Sequence, residues 1–217
     1  MHLLILIHGL NKSSKVLKGL EQFACKQGLA VLNIDYPSTK FPIEHLIDIV
    51  DSQINQKLQE KYTNVSFVGF SMGGLIIRAY LHKYKILNLS KVVLVGTPNK
   101  GSEVADFLKN NKLYQKLYGP AGQQLITDQE EFSEIFGSIY YKCGVIAGSL
   151  PLDPCFVFMR GKPNDGKVTV ESTKIVGMHD HIVVKVPHWY QSRSKKIWFN
   201  ILHFLKYSEF PEKWKIT

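Results

Sequence analysis

Gly69-Phe70-Ser71-Met72-Gly73 sets a serine between two glycines, in surroundings that could turn its hydroxyl into a nucleophile. The residues before it, Val65–Val68, read as a short buried strand, and those after it, Gly74–Leu81, as a helix. A G-x-S-x-G at a strand-to-helix junction is a nucleophile elbow. The serine occupies an unfavourable backbone turn, and the glycines avoid collisions with the adjoining strand and helix. Such a pattern arises by chance in about one chain of this length in ten to twenty, so the motif takes its weight from what accompanies it.

A serine hydroxyl is a weak nucleophile until a histidine accepts its proton. The histidine in turn needs a carboxylate to fix its tautomer and stabilise its charged form. The elbow therefore predicts an acid and then a histidine further along the chain. Asp165 lies in the turn Asn164-Asp165-Gly166, just ahead of Lys167–Ser172, where it can sit on a loop near a strand end; it is the preferred acid. Asp153, in Leu152-Asp153-Pro154, is the second candidate. His188 follows the strand-like run Ile182–Val186 and precedes the last helix, on the kind of loop where parallel sheets display their sites. His179 and His181 are second candidates for the base, but they precede that strand and should lie at the opposite edge of the sheet. Met178-His179-Asp180-His181 lacks further ligands at metal spacing and reads as a surface turn.

A developing oxyanion also needs donors. One is the backbone N–H of Met72, directly after the serine, and the other is the Leu10 N–H in the loop His8-Gly9-Leu10-Asn11 that follows the first strand. His8 itself reads as a hydrogen-bonding residue that orients this loop.

These side chains must be carried by an alternation of short apolar strands and amphipathic helices, which implies an α/β fold with a mostly parallel sheet of about six strands covered on both faces. The expected strands are Leu3–Ile7, Ala30–Ile34, Val65–Val68, Lys91–Val95, Gly144–Ala147 and Ile182–Val186. Ile43, Leu46, Ile47, Val50, Ile54 and Leu58 form a helical stripe, and a last helix runs from about Lys195 to Lys206. Residues 1–217 are expected to form a single domain. One excursion interrupts the alternation, from Gly101 to Tyr141. Phe107, Leu108, Leu113, Tyr114, Leu117 and Tyr118 fall there at roughly helical spacing, ahead of the turn Gly119-Pro120-Ala121-Gly122. It reads as an enlarged helical crossover against the sheet, with a small cap over an apolar groove as the alternative.

The net charge of +9 comes almost wholly from lysine, since Arg78, Arg160 and Arg193 are the three arginines. The lysines are scattered and no basic stripe forms, which speaks against nucleic acid; weak association with anionic membrane surfaces is the partner this charge allows. No apolar run approaches the roughly 18 residues of a membrane span. The start, Met1–His8, lacks a basic region and a cleavage site, so it reads as a core strand, with a cytoplasmic location expected. Secretion by a route without such a signal stays compatible with it. Cys25, Cys143 and Cys155 have no metal-ligand spacing; a Cys143–Cys155 disulfide is allowed but nothing requires it.

With these pieces in order, the chain resembles the α/β-hydrolase superfamily and, within it, the small bacterial lipases and esterases with few or no cap insertions. The resemblance rests on His8-Gly9-Leu10, Gly69–Gly74, Gly96-Thr97-Pro98-Asn99-Lys100-Gly101-Ser102, Asn164–Val168 and His188 before the terminal helix. It implies a triad of Ser71, Asp165 and His188, oxyanion donors at Leu10 and Met72, and no metal or organic cofactor. The chain departs from the family pattern in starting directly with the strand that carries the His-Gly loop, and in having Asn11-Lys12 in place of a glycine-rich continuation. Trp189, beside the base, either shapes a pocket or simply packs. The expected function is that of a serine hydrolase of carboxylic esters, a lipase or esterase acting through an acyl-enzyme on a small-molecule ester or lipid. A thioesterase, phospholipase or acyltransferase would use the same residues. A protein that only binds a ligand or partner is the rival from another class.

Overall fold

Parallel strands buried on both faces need continuous apolar sequence, and the first strand, β1 (His2–Ile7), is such a run, with Leu3 to Ile7 fully buried. Its side chains divide by alternation. Leu3, Ile5 and Ile7 enter one core and Leu4 and Leu6 the other. The computed structural model describes residues 1–127 and 134–212. After β1 come α1 (Lys18–Cys25), β2 (Ala30–Ile34), α2 (Ile43–Leu58), β3 (Asn64–Phe70), α3 (Met72–Lys83) and β4 (Leu89–Val95). The chain continues through α4 (Glu103–Leu108), α5 (Lys112–Gln123), β5 (Lys142–Gly148), α6 (Val170–Thr173), β6 (Asp180–Val184) and α7 (Lys195–Tyr207). The strands form one sheet in the order β2-β1-β3-β4-β5-β6, and every pairing is parallel.

Helices cover both faces. The stripe Ile43, Leu46, Ile47, Val50 and Ile54 of α2 packs with α3 on the Leu3–Ile5–Ile7 side. On the other side Leu20 and Ala24 of α1 meet Ile197, Ile201 and Phe204 of α7 over Leu4, Leu6, Val68 and Val93. Each such buried aliphatic side chain contributes roughly 1.5–3 kcal/mol. The sheet is therefore a rigid platform, and all six strands end on the same edge.

β3, β4 and β5 contain their expected spans and run past them by one or two residues, whereas the last strand is shifted by two residues at both ends. β6 spans Asp180–Val184, so His181 lies within it, while Val186 is buried from the following loop. An apolar run marks burial, and burial here continues past the last ladder pair, Gly148 with Val184. The 101–141 excursion carries α4 and α5, and α5 is broken at Gly119 (φ 63°) directly before Pro120. Its residues 128–133 lie outside the described residues. Tyr114 is buried, whereas Phe107, Leu113 and Leu117 are exposed. Cys25, Cys143 and Cys155 are free thiols, and burial pushes that of Cys143 up to about 12.

β3 and α3 are joined by the single residue Ser71, at φ 55° and ψ −127°. So sharp a reversal brings the helix against its own strand: a Cβ on Gly69 would lie 2.5 Å from the Cα and N of Gly74. A Cβ on Gly73 would overlap the carbonyl oxygens of Ile7 and His8. Gly69→Val should therefore cost about 2–3 kcal/mol, seen as a Tm lowered by about 4–12 °C in thermal unfolding. An unchanged Tm would mean that strand and helix can separate without loss.

Candidate active site

The elbow lifts the Ser71 side chain out of the sheet's carboxyl edge, and its backbone N–H anchors it by donating to the Val95 carbonyl at the end of β4 (2.8 Å). Asp165 reaches the same place by another route. In Asn164-Asp165-Gly166, the Asn164 Oδ1 accepts from the Gly166 N–H, and the Asp165 Oδ1 accepts from the N–H groups of Lys167 (2.9 Å) and Val168 (2.8 Å). The turn rests on the end of β5, where a Cβ on Gly148 would lie 2.7 Å from that of Asp165. His188 follows β6 and opens a 3-10 turn, His188–Arg193; its N–H donates to the Asp165 carbonyl at 2.9 Å.

The three side chains meet. His188 Nδ1 lies 2.7 Å from Asp165 Oδ2, and His188 Nε2 lies 3.0 Å from Ser71 Oγ. A carboxylate only accepts, so Nδ1 carries the proton and Nε2 turns its lone pair to the serine hydroxyl. Asp165 is fully buried. Its second oxygen also accepts from Gln191 Nε2 at 2.6 Å, so the buried carboxylate has partners on both oxygens. Gln191 escapes a reading by motif, yet its signal is present: it stands three residues after His188, and residues i and i+3 of a 3-10 turn share a face.

The other expected positions divide. The Met72 N–H is the first of α3, among the amides a helix leaves without an internal partner, and Leu10 lines the same cleft as Ser71 and His188. His8 is wholly buried. It stacks on Tyr36 with centroids 4.3 Å apart, its Nδ1 meets the Gly9 carbonyl at 2.9 Å, and the Tyr36 hydroxyl donates to its backbone carbonyl at 2.7 Å. That fixes the loop carrying Leu10. Asp153 lines the same cleft as His188, but the carboxylate hydrogen-bonded to His188 is that of Asp165. Asp153 caps the turn Pro154–Met159 by accepting from the Cys155 N–H, and its Oδ2 lies 3.7 Å from Lys167 Nζ. His181 Nε2 lies 3.2 Å from Thr173 Oγ1, and Asp180 accepts from the N–H groups of His181 and Phe210, so these groups are engaged within β6 and its neighbours and not with Ser71. The loop from Gly96 to Ser102 is a support. Asn99 accepts from Arg78 and donates to the Thr173 carbonyl, and Ser102 caps α4.

Ser71 and His188 open into a cleft of about 470 Å³. Val104, Leu108, Tyr114, Tyr118 and Leu125, from α4, α5 and the segment after them, form an apolar wall; Lys12, Lys167 and Arg193 also line it. Trp189 stands at its rim, half exposed.

Parallel order, elbow and cleft define the fold as that of the α/β hydrolases, and the solved structures agree. The mature lipase of Bacillus licheniformis is similar with a TM-score of 0.77 at 22% identity, over 94% of this chain and 91% of that one. A phospholipase from Legionella pneumophila is similar with a TM-score of 0.62 at 17% identity, over 80% of this chain and 46% of that one. Residues 4–142 match the palmitoyl protein thioesterase family, and the chain belongs to that family. It is also similar to triacylglycerol lipase 2 of Saccharomyces cerevisiae, 24% identical over 185 residues, which is 72% of this chain and 56% of the yeast protein's length. No helix among the described residues is long and apolar enough to cross a membrane.

Burial lowers His8 below its ordinary 6.5, ahead of the opposing influence of the Gly9 hydrogen bond and Asp35. His2 and His181 are lowered as well, by burial first and then by nearby lysines. On acidification the unfolded chain binds protons before the folded one, so stability is intact above about pH 6.5 and is lost as pH falls toward the folded values. The Tm should drop between about pH 8 and about pH 5.5, with a shallower drop in His8→Gln. Equal slopes for the two proteins would contradict this role of His8.

Proposed function

We propose that this protein is a serine hydrolase of carboxylic esters with acyl-chain substrates. The observation that carries the reading is the unbroken hydrogen-bonded line from Asp165 through His188 to Ser71, at 2.7 and 3.0 Å. Ser71 Oγ attacks the ester carbonyl while His188 Nε2 takes its proton, and Asp165 stabilises the imidazolium. The tetrahedral oxyanion turns to the N–H groups of Leu10 and Met72. Collapse of that intermediate breaks the bond to the leaving alkoxide, which receives the proton from His188. A water molecule, deprotonated by the same histidine, then releases the acid from Ser71. Metal and organic cofactors have no part in these steps.

The acyl chain is assigned to the apolar wall of the cleft, with α4 and α5 acting as a small cap-like border. Lipid-like esters follow from that wall and from the lipases and phospholipase to which the chain is similar. Family membership makes thioester hydrolysis by the same residues the second reading.

A fluorophosphonate probe should label the protein and fail to label Ser71→Ala, and Asp165→Asn should lower kcat by about 10⁴-fold. If wild-type protein is not labelled, or Ser71→Ala still is, the assignment of the nucleophile fails. With p-nitrophenyl esters, kcat/KM should rise about threefold for each methylene added between acetate and octanoate. A preference for acetate would remove the lipid-like substrate from the reading.

A further inference from the structure

The cleft around Ser71 is unequal in charge as well as in polarity. Its apolar wall comes from α4, α5 and Leu125, whereas Lys12, Lys167 and Arg193 supply three cations to its described lining and Asp153 is a carboxylate beside them. Lys167 is half buried and is held near Asp153 (3.7 Å). Lys12 and Arg193 are exposed and have no ion-pair partner among the described residues. They also converge from separate parts of the chain. Lys12 follows the Leu10 loop and runs into the turn Ser14–Leu17, which packs against the His188–Arg193 turn that carries the base. These two cations thus share the side of the cleft formed by the β1 and β6 loops, and the apolar wall belongs to α4 and α5.

We infer that this protein selects esters whose leaving group carries a negative charge, with Lys12 and Arg193 receiving that charge while the acyl chain lies against the apolar wall. The inference rests on the ester-hydrolase reading and names its substrate class. A phosphate or a carboxylate on the alcohol would meet the same two side chains. Arg193 can hold a phosphate through two N–H groups at once, whereas Lys12 acts as a point charge. Both are specificity-determining residues: they attract the departing group and leave the reacting carbonyl to Ser71 and His188. A charge in the leaving group also favours capture of the substrate from solution, an effect that salt screens within roughly 8–10 Å.

The test compares two monoacyl esters of the same chain, decanoyl-glycerol and decanoyl-glycerol 3-phosphate, both below the concentration at which they form micelles. A third ester, carrying a carboxylate in place of the phosphate, separates the two anions. At low ionic strength kcat/KM for the phosphate ester should exceed that for the neutral one by about five- to tenfold, and the ratio should shrink toward one in high salt. Lys12→Gln/Arg193→Gln should bring the same ratio to about one at low salt; both positions are exposed, so the fold is retained. A strong preference for phosphate over carboxylate would assign the charge to the Arg193 fork, and equal preference to a point-charge field. Equal hydrolysis of neutral and anionic esters by the wild type, or a ratio that survives the double substitution, overturns the inference alone. A preference that emerges only with aggregated substrate also overturns it, because the cations would then serve adsorption to a surface. Hydrolysis of none of the esters overturns the ester-hydrolase reading together with this one.

Discussion

The structure turns on a one-residue reversal. Ser71 alone connects a buried strand to a buried helix, at backbone angles that a side chain adopts only under constraint. What holds it is contact on every side: the closeness of Gly69 to Gly74, the apposition of Gly73 to the Ile7 and His8 carbonyls, and the hydrogen bond from its N–H to Val95. Because those contacts come from β1, β3, β4 and α3 together, the strain is stabilised by the middle of the sheet and not by any one element. It lifts the hydroxyl clear of the sheet and places the Met72 N–H, the first of α3, directly after it. In the proposed mechanism, exposure of the hydroxyl and one of its two oxyanion donors, Met72, follow from this conformation, and the other donor, Leu10, comes from the loop after β1.

The carboxylate faces the opposite physical problem. Asp165 is buried, and a buried charge is tolerated only when its oxygens are satisfied. Two backbone N–H groups from its own turn hold one oxygen, and Gln191 and His188 hold the other. His188 is tied to Asp165 twice, by its ring Nδ1 and by its backbone N–H, and these two bonds orient the imidazole. His8 shows the same economy on the other side of the cleft, where a neutral buried ring stacked on Tyr36 keeps the Leu10 loop in place.

Much of this could be read from residue order. Central parallel strands carry continuous apolar runs, so β1, β3, β4 and β5 contain the spans that hydrophobicity sets, and the Asn-Asp-Gly turn declares its own hydrogen bonds. Other features depend on contacts between distant segments. Val186 looks like strand because it is buried, and only the ladder with β5 shows that pairing stops at Val184. The spacing of Phe107, Leu113 and Leu117 resembles a core stripe, but all three are exposed, while Leu108, Tyr114 and Tyr118 line the cleft. Gln191 was hidden because a three-residue period in a short turn cannot be told from a loop before its packing is known. The cations of the cleft were hidden in a chain rich in lysine; Lys12 and Arg193 stand out only once Ser14–Leu17 is seen against His188–Arg193.

The central claim is that the elbow presents Ser71 to His188 on one side and to the Leu10 and Met72 amides on the other. A crystal structure of the protein reacted with a long-chain alkyl fluorophosphonate measures this directly. The account predicts phosphorus bonded to Ser71 Oγ, its non-bridging oxygen about 2.7–3.1 Å from the nitrogens of Leu10 and Met72, and the alkyl chain against Val104, Leu108 and Tyr114. An adduct on another residue, or a phosphonyl oxygen turned away from both amides, would contradict it.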